Sequence, residues 1–285
     1  MPLIQRTLLA AAILLAAPLL HAQTSESTIK KQLGNLSSLS ADQRPAATIK
    51  LAADIRALPA GQSKVKLADQ LAQIVTAGDQ GAEALQAVAD ALSQALAQSP
   101  APAKNDQPPM AYMDLAKLVR YESVTTPLAD PLFAKAGQIL TANDADIQKA
   151  DFTLKDFSGK KYTLSELRGK IVLVNFFTTD CQPCTTLEMP NLDLIYTHFQ
   201  AQGLIVLSIT DENPFKVYNT IKGWTYHYNP PILLDPGDKV AKQFHVDGVP
   251  RTFVFGRDGK LMALAIDQCT QRQFLNMLSK TDLRP

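Results

Sequence analysis

Two cysteines with two residues between them, Cys181 and Cys184, lie in the stretch TTDCQPCTTLEMP at positions 178–190. They directly follow the apolar run KIVLVNFF, so we expect them where a buried strand ends and a helix begins. A cysteine at a helix N-terminus ionises readily, because unpaired backbone N–H groups and the helix dipole stabilise its thiolate. We therefore predict a redox pair: Cys181 at the exposed helix start attacks a disulfide, and Cys184, one turn behind it, resolves the mixed disulfide.

Other uses of a C-x-x-C pair fit the sequence less well. Covalent haem attachment needs a histidine directly after the second cysteine, and here that position is Thr185. A structural zinc site needs four ligands, but the chain has no second cysteine pair, and His198, His227 and His245 are scattered. We therefore predict neither a metal nor a cofactor.

The N-terminus has the layout of a secretory signal peptide, predicted over residues 1–22. Arg6 precedes an apolar stretch from Leu8 to Leu20, and we expect cleavage after Ala22. The stretch is about 13 residues long, whereas a spanning helix needs about 20; an uncleaved anchor is the alternative. Export to the periplasm or a similar compartment would place the cysteines where disulfides persist.

The charge balance excludes one class of partner. The chain has 28 Lys and Arg against 27 Asp and Glu residues. Such a balance gives no general attraction to nucleic acid or to anionic membranes, so we expect no nucleic-acid partner.

The mature chain divides into two parts that differ in composition and in hydrophobic pattern. Residues 23–145 are rich in Ala, Gln and Leu, with apolar residues at spacings of three and four, which predicts an all-α region. A Pro-rich linker, SPAPAKNDQPP, interrupts it near residues 99–109. Residues 146–285 alternate β-type and helical segments, which predicts an α/β fold with hairpins near its start and its end.

The second part resembles a known family. DFTLKDFSGKKYTLSELRGKIVLVNFFTTDCQPC is similar to the opening of the thioredoxin-like thiol–disulfide oxidoreductases of the TlpA/ResA type. LLDPGDKVAKQFHVDGVPRTFVFGRDGKL resembles their second half; the resemblance runs from about Asp151 to Leu278 and does not cover residues 23 to about 145. It implies a thioredoxin-like fold, a central mixed sheet flanked by helices, behind the all-α region.

The resemblance also implies an activity and partners. We expect reduction of disulfides in protein partners, with electrons supplied by a membrane-bound thiol donor. Pro250, in the motif GVP, would be a cis-proline facing the cysteine pair. The backbone of Val249, before it, would pair with the extended chain of a bound partner; an ordinary trans-proline turn is the alternative.

Two charged residues depart from the family pattern beside the cysteines. Asp180 replaces the usual Trp before Cys181, and a neighbouring carboxylate disfavours the thiolate; alternatively it caps the helix or is merely solvated. Arg251 follows the proline where Thr is frequent, and it could offset Asp180 or bind a partner carboxylate, or be a simple surface arginine. We include Asp180, Val249 and Arg251 as candidate substrate-binding residues.

Further departures concern the proton acceptor and the third thiol. Glu188 and Pro190 lie one residue later than in the family, and on an α-helix one inserted residue would turn Glu188 by about a hundred degrees from the thiols. Glu188 is our candidate proton acceptor for Cys184, with a solvated helix carboxylate as the alternative. Asn175 stands where thioredoxin has a buried Asp. Cys269, near the start of the last helix, would take part in a second exchange step or be a buried, inert thiol.

Two other functions remain open from the sequence. Thr178, three residues before Cys181, matches part of the T-x-x-C motif of peroxiredoxin-like thiol peroxidases, but Val174 stands where that motif has Pro. Alternatively, the helical half docks a partner, and the redox domain is subordinate to a binding module.

Overall fold

The computed structural model describes residues 25–283, so the leader predicted over residues 1–22 lies outside the described residues. The N-terminal part of the described chain is helical, as expected from its periodicity. Its α-helices are α1 (Glu26–Asn35), α2 (Arg44–Ala57), α3 (Gln62–Val75), α4 (Gly81–Gln98), α5 (Met110–Tyr121) and α6 (Pro131–Lys149).

Capping residues and one shared core explain these helices. The Ser25 side chain accepts a hydrogen bond from the Thr28 amide at the start of α1. Asp130 caps α6 in the same way, and Pro131 occupies its first turn. The apolar faces meet in a single core, in which Leu92 of α4 is fully buried. None of the helices among residues 25–283 is both long and apolar enough to cross a bilayer.

The C-terminal part is built on a seven-stranded mixed sheet in the order β2-β1-β5-β4-β3-β6-β7. Its strands are β1 (Thr153–Asp156), β2 (Lys161–Thr163), β3 (Ile171–Phe176), β4 (Leu204–Thr210), β5 (Ile232–Leu234), β6 (Arg251–Phe255) and β7 (Leu261–Ala265). Strands β3, β4 and β5 are parallel, and the remaining neighbours are antiparallel. Both predicted hairpins are present, as β1–β2 and β6–β7.

Helices cover both faces of this sheet. They are α7 (Met189–Phe199), α8 (Pro214–Lys222), α9 (Lys239–Gln243) and α10 (Gln271–Leu278). Side chains alternate along β3, so Leu173 packs with α7 and α10 on one face, and Val174 packs with α9 on the other. The expected thioredoxin-like arrangement, a central mixed sheet flanked by helices behind an all-α region, is therefore observed.

Two features differ from the expectations. Helix α6 runs through the proposed domain boundary at residue 145 to Lys149, and Ile147 in its last turn packs in the core of the sheet domain. Strand β5 was not expected, because its three residues are too short to give a periodic signal.

Helices α5 and α6 also pack beside β7, so the helical domain covers one edge of the sheet.

Candidate active site

The cysteine pair lies just beyond the end of the central strand β3. Cys181 and Cys184 form a disulfide, with an S–S distance of 2.07 Å and a Cα–Cα distance of 5.2 Å. Cys181 precedes the helical segment and is half-buried, whereas Cys184 begins a π-helical turn, Cys184–Glu188, and is fully buried. Of the two cysteines, only Cys181 is therefore partly exposed to solvent.

Backbone groups surround the sulfur of Cys181. The amide of Cys184 donates a hydrogen bond to Cys181 Sγ at 3.2 Å, the contact that would stabilise a thiolate there. The carbonyl oxygen of Val249 lies 3.8 Å from the same sulfur. The Val249–Pro250 peptide bond is cis, as the family resemblance implies. The two segments expected to face each other thus meet at Cys181.

Glu188 is completely buried one turn after Cys184. Its Oε1 accepts hydrogen bonds from Asn175 Nδ2 at 2.8 Å and from Thr252 Oγ1 at 2.9 Å. Its Oε2 accepts one from the Cys269 amide at 2.8 Å. Burial raises the pKa of Glu188 to about 8, although these three donors oppose the rise. A carboxyl with a pKa near neutrality can both accept and donate a proton.

The alternative of a solvated carboxylate is wrong, because Glu188 is fully buried, and the expected α-helical rotation does not occur. The one-residue insertion does not continue an α-helix; the chain forms the π-helical turn instead, in which the Met189 amide donates to the Cys184 carbonyl. A π-turn takes one residue more than an α-turn. The extra residue is absorbed there, and Glu188 faces the interior.

Asp180 has a counter-ion that the sequence did not suggest. Its side chain is largely exposed, and its Oδ2 lies 2.6 Å from Lys216 Nζ in helix α8. Lys216 also contacts Glu212 Oε1 at 2.6 Å. The hydrogen bonds to Asp180 and Glu212 raise the pKa of Lys216, so the ammonium stays charged beside the cysteine loop.

Arg251 is neither a surface arginine nor a partner of Asp180. It is buried, and its guanidinium pairs with Asp247, which also accepts a hydrogen bond from Lys117 of helix α5 at 3.0 Å. Burial alone would raise the pKa of Asp247, but the charges of Arg251 and Lys117 hold it below its usual range. Arg251 therefore connects the cis-proline segment to the helical domain.

Cys269 lies in the loop between β7 and α10. Its thiol is buried and free, and burial, followed by the nearby Glu188 carboxylate, raises its pKa well above the ordinary value. Such a thiol is a poor nucleophile. Its backbone amide, rather than its thiol, contacts Glu188 and is the third donor to that carboxyl.

A group of aromatic side chains beside the disulfide was also not predicted from the sequence. Trp224 packs in one cluster with both cysteines, and its ring stacks on Tyr226 with 5.0 Å between centroids. The Tyr226 hydroxyl donates to the Thr185 carbonyl at 2.7 Å. Both rings also line a groove of about 570 Å³. Trp224 is the chain's single tryptophan, which was the only available signal.

Within residues 25–283 no group of three or more His, Cys, Asp or Glu side chains could hold a metal ion. The chemistry that the described site offers is a two-electron exchange between a dithiol and a disulfide.

The family match lies in the sheet domain. Residues 147–264 match the AhpC/TSA family. The solved structure of the pneumococcal exposed lipoprotein thioredoxin (Etrx1) from Streptococcus pneumoniae strain TIGR4 is 27% identical, with a TM-score of 0.42, over 46% of this chain and 99% of that one. StoA from Bacillus subtilis is 22% identical, with a TM-score of 0.40, over 45% of this chain and 96% of that one.

Two curated relatives have the same activity in their names. The thiol–disulfide oxidoreductase ResA of Bacillus cereus (strain ZK / E33L) is 31% identical over 131 residues, which are 46% of this chain and 74% of the relative. That of Bacillus subtilis (strain 168) is 31% identical over 151 residues, 52% of this chain and 80% of the relative. Through its C-terminal half, this chain belongs to the ResA family and is a thiol–disulfide oxidoreductase.

Proposed function

We propose that the protein is an exported reductase of disulfides in protein partners, with Cys181 as the attacking thiol and Cys184 as the resolving thiol. The observation that carries the proposal is the asymmetry of the pair: Cys181 reaches the surface beside Val249, whereas Cys184 is fully buried behind it. A partner's sulfur can approach only the first cysteine. The second is held for an intramolecular step.

The reaction balances as a two-electron exchange. The Cys181 thiolate attacks one sulfur of the partner's disulfide, and the other partner sulfur leaves as a thiolate and takes up a proton. Cys184 then attacks Cys181 Sγ, which releases the second partner thiol and forms the Cys181–Cys184 disulfide. The partner gains two electrons and two protons, and the cysteine pair loses them. A membrane-bound thiol donor would restore the dithiol.

Glu188 is the proposed proton acceptor for Cys184. It lies on the next turn of the same segment, and its pKa of about 8 suits proton transfer near neutral pH. Within the described residues the Asn175 side-chain oxygen has no hydrogen-bond partner. A half-turn of that amide would let it accept the O–H of protonated Glu188, so both protonation states have partners.

Partner binding would use the surface around Cys181. The backbone of Val249 would pair with an extended segment of the partner, and the groove lined by Trp224 and Tyr226 would accept side chains that flank the partner's cysteine. Asp180 is exposed enough to contact a partner, with Lys216 as its counter-ion. The buried Arg251 would act indirectly, through the cis-proline segment.

A neutral disulfide, 4,4′-dithiodipyridine, tests the two steps separately. The reduced protein should release one thiopyridone when Cys181 attacks and a second when Cys184 resolves the adduct. Cys184→Ser should stop after one release and retain the adduct on Cys181, and Cys181→Ser should lose the rapid first release. An active Cys181→Ser variant would show that the nucleophile is wrong.

Three further measurements address direction, rival activity and export. A reduction potential near thioredoxin's, about −270 mV, would support a reductant, and one near DsbA's, about −120 mV, an oxidant. Rapid turnover of hydrogen peroxide would favour the peroxidase alternative instead. Protein recovered from the periplasm should begin at Gln23 if the predicted leader is removed.

A further inference from the structure

The helical domain contacts the redox domain at a loop that is hydrogen-bonded to Glu188. The loop between α3 and α4 (residues 76–80) lies against the loop between β7 and α10 (residues 266–270). The Gly78 amide donates to the Gln268 carbonyl at 2.9 Å. Thr76 Oγ1 donates to Asp267 Oδ2 at 3.2 Å. These hydrogen bonds join the two domains beside the buried carboxyl.

The first of these bonds has a particular target. The Gln268 carbonyl and the Cys269 amide are the two ends of one peptide group, which is planar. Gly78 binds its carbonyl end, and Glu188 Oε2 accepts a hydrogen bond from its amide end at 2.8 Å. A peptide polarised by a donor at its carbonyl becomes a better donor at its amide. The helical domain is thus one peptide group away from Glu188.

We propose that the α3–α4 loop of the helical domain positions the redox centre, because Gly78 fixes the Gln268–Cys269 peptide whose amide binds Glu188. The inference rests on the proposed role of Glu188 as proton acceptor for Cys184, and it assigns the helical domain a part in catalysis. If this peptide turned over, its carbonyl would face the carboxylate, and the anionic form of Glu188 would lose a donor.

A second contact anchors the same loop. Arg272, at the start of α10, pairs with Asp79, and Gln273 Nε2 donates to the Gly78 carbonyl at 3.4 Å. Gly78 itself has φ +72°, in the left-handed region that side chains with a Cβ rarely adopt. The conformation that aims the Gly78 amide at Gln268 therefore depends on glycine.

Other groups also act on the ionisation of Glu188 and must stay constant in any test. Asp267, Tyr228 and the Cys269 thiol interact with it electrostatically, and Thr252 and Asn175 donate to it. The charged groups around the Asp267 side of the loop are Arg251, Glu122, Asp79 and Lys280. A substitution at Gly78 replaces none of these groups, so it isolates the contribution of the peptide.

Three substitutions at Gly78 in the full-length protein should disturb the α3–α4 loop to increasing extents. Gly78→Asn should keep the loop, since Asn tolerates positive φ. Gly78→Ala should displace it, and Gly78→Pro removes the N–H and cannot adopt positive φ. Gly159→Ala is the matched control: Gly159 has φ +85° in the β1–β2 turn, and a Cβ added there would meet no atom within 4 Å. It adds the same kind of backbone strain away from Glu188.

The primary readout is the titration of Glu188 in the oxidised protein, followed by NMR of ¹³Cδ-labelled glutamate. The resonance is identified by its loss in Glu188→Gln. A weakened hydrogen bond to the carboxylate should raise the midpoint by about one pH unit in Gly78→Ala and about two in Gly78→Pro. Gly78→Asn and Gly159→Ala should keep the wild-type midpoint. If Gly78→Pro does not fold, the comparison of Gly78→Ala with Gly78→Asn still tests the proposal.

The second readout is kinetic. The second thiopyridone release should slow by about three- to tenfold at pH 7 in Gly78→Ala, because less Glu188 is ionised, while the first release keeps its rate. A wild-type protein without a second release would refute the proposed function. Normal wild-type release, together with an unchanged Glu188 midpoint in Gly78→Ala, would overturn the positioning role alone.

Discussion

Replacing Glu188 by Gln should change how the stability of the oxidised protein depends on pH. The folded protein holds a proton on Glu188 up to a pKa of about 8, whereas the unfolded chain releases it near 4.5. Between these values the folded state binds more protons than the unfolded state. The stabilisation that protonated Glu188 contributes is therefore fully present below about pH 4.5 and is lost as the pH rises through 8.

The size of the effect follows from that difference in pKa. Each pKa unit corresponds to about 1.4 kcal/mol, so wild-type protein should lose about 5 kcal/mol between pH 4.5 and 9 through this group alone. Gln cannot ionise and lacks the slope. At pH 5 the variant should be less stable by about 1–3 kcal/mol, because its amide brings one N–H more than the protonated carboxyl to a position surrounded by the donors Asn175, Thr252 and Cys269.

Urea unfolding of both proteins at each pH unit from 5 to 9, under oxidising conditions, measures the two slopes. Trp224, the single tryptophan, reports on the redox domain. Other carboxyls with raised pKa values, such as Asp69, are the same in both proteins and cancel in the difference. Glu166→Gln makes the same exchange at an exposed position and controls for the substitution itself.

The wild-type advantage over Glu188→Gln should shrink steadily with pH and reverse before pH 9. A difference that stays constant from pH 5 to 9 would mean that Glu188 ionises alike in the folded and unfolded chains. The carboxyl would then not be the poised proton acceptor of Cys184.

Three further outcomes are expected. Lys216→Met should slow the first thiopyridone release about two- to threefold at low salt, because the charge of Asp180 loses its counter-ion, and the gap should close near 1 M salt; a gap that persists would exclude an electrostatic cause. Phe253→Ala should cost about 3–5 kcal/mol in urea unfolding, since the ring is buried among other aromatic rings, and a loss below about 1 kcal/mol would contradict that packing. Deleting Thr186, an exposed residue of the π-turn, should restore an α-turn with Glu188 still buried. The stability of this deletion variant should then depend on pH as wild type does, and not as Glu188→Gln does.

The elements that the sequence predicted are those with strong local signals. The run KIVLVNFF is apolar throughout because β3 is covered on both faces, and the turns at Gly159 and Gly259 both adopt positive φ as hairpin turns require. Strand β5 gives no such signal, since three residues cannot show a period. It pairs with β4 and β1 through tertiary contacts alone.

The cysteine pair could be predicted because its chemistry follows from spacing and from its place after a strand. The groups that set its electrostatics could not. Lys216, in the first turn of α8, pairs with Asp180, and the buried Arg251 pairs with Asp247, which also binds Lys117 of the helical domain. Such pairings join residues whose separation in the chain carries no information about contact.

Glu188 shows why helix phase alone did not predict the position of this buried carboxyl. Had the chain kept an α-helix through the insertion, the side chain would have turned away, leaving the Asn175 amide, the Thr252 hydroxyl and the Cys269 amide without this common acceptor in the core. Each abandoned donor costs about 1–3 kcal/mol. One π-turn avoids all three losses, so the position of the carboxyl is set by the donors that surround it rather than by its distance in sequence from Cys184. One of those donors is held by Gly78, which places the helical domain among the determinants of the active site.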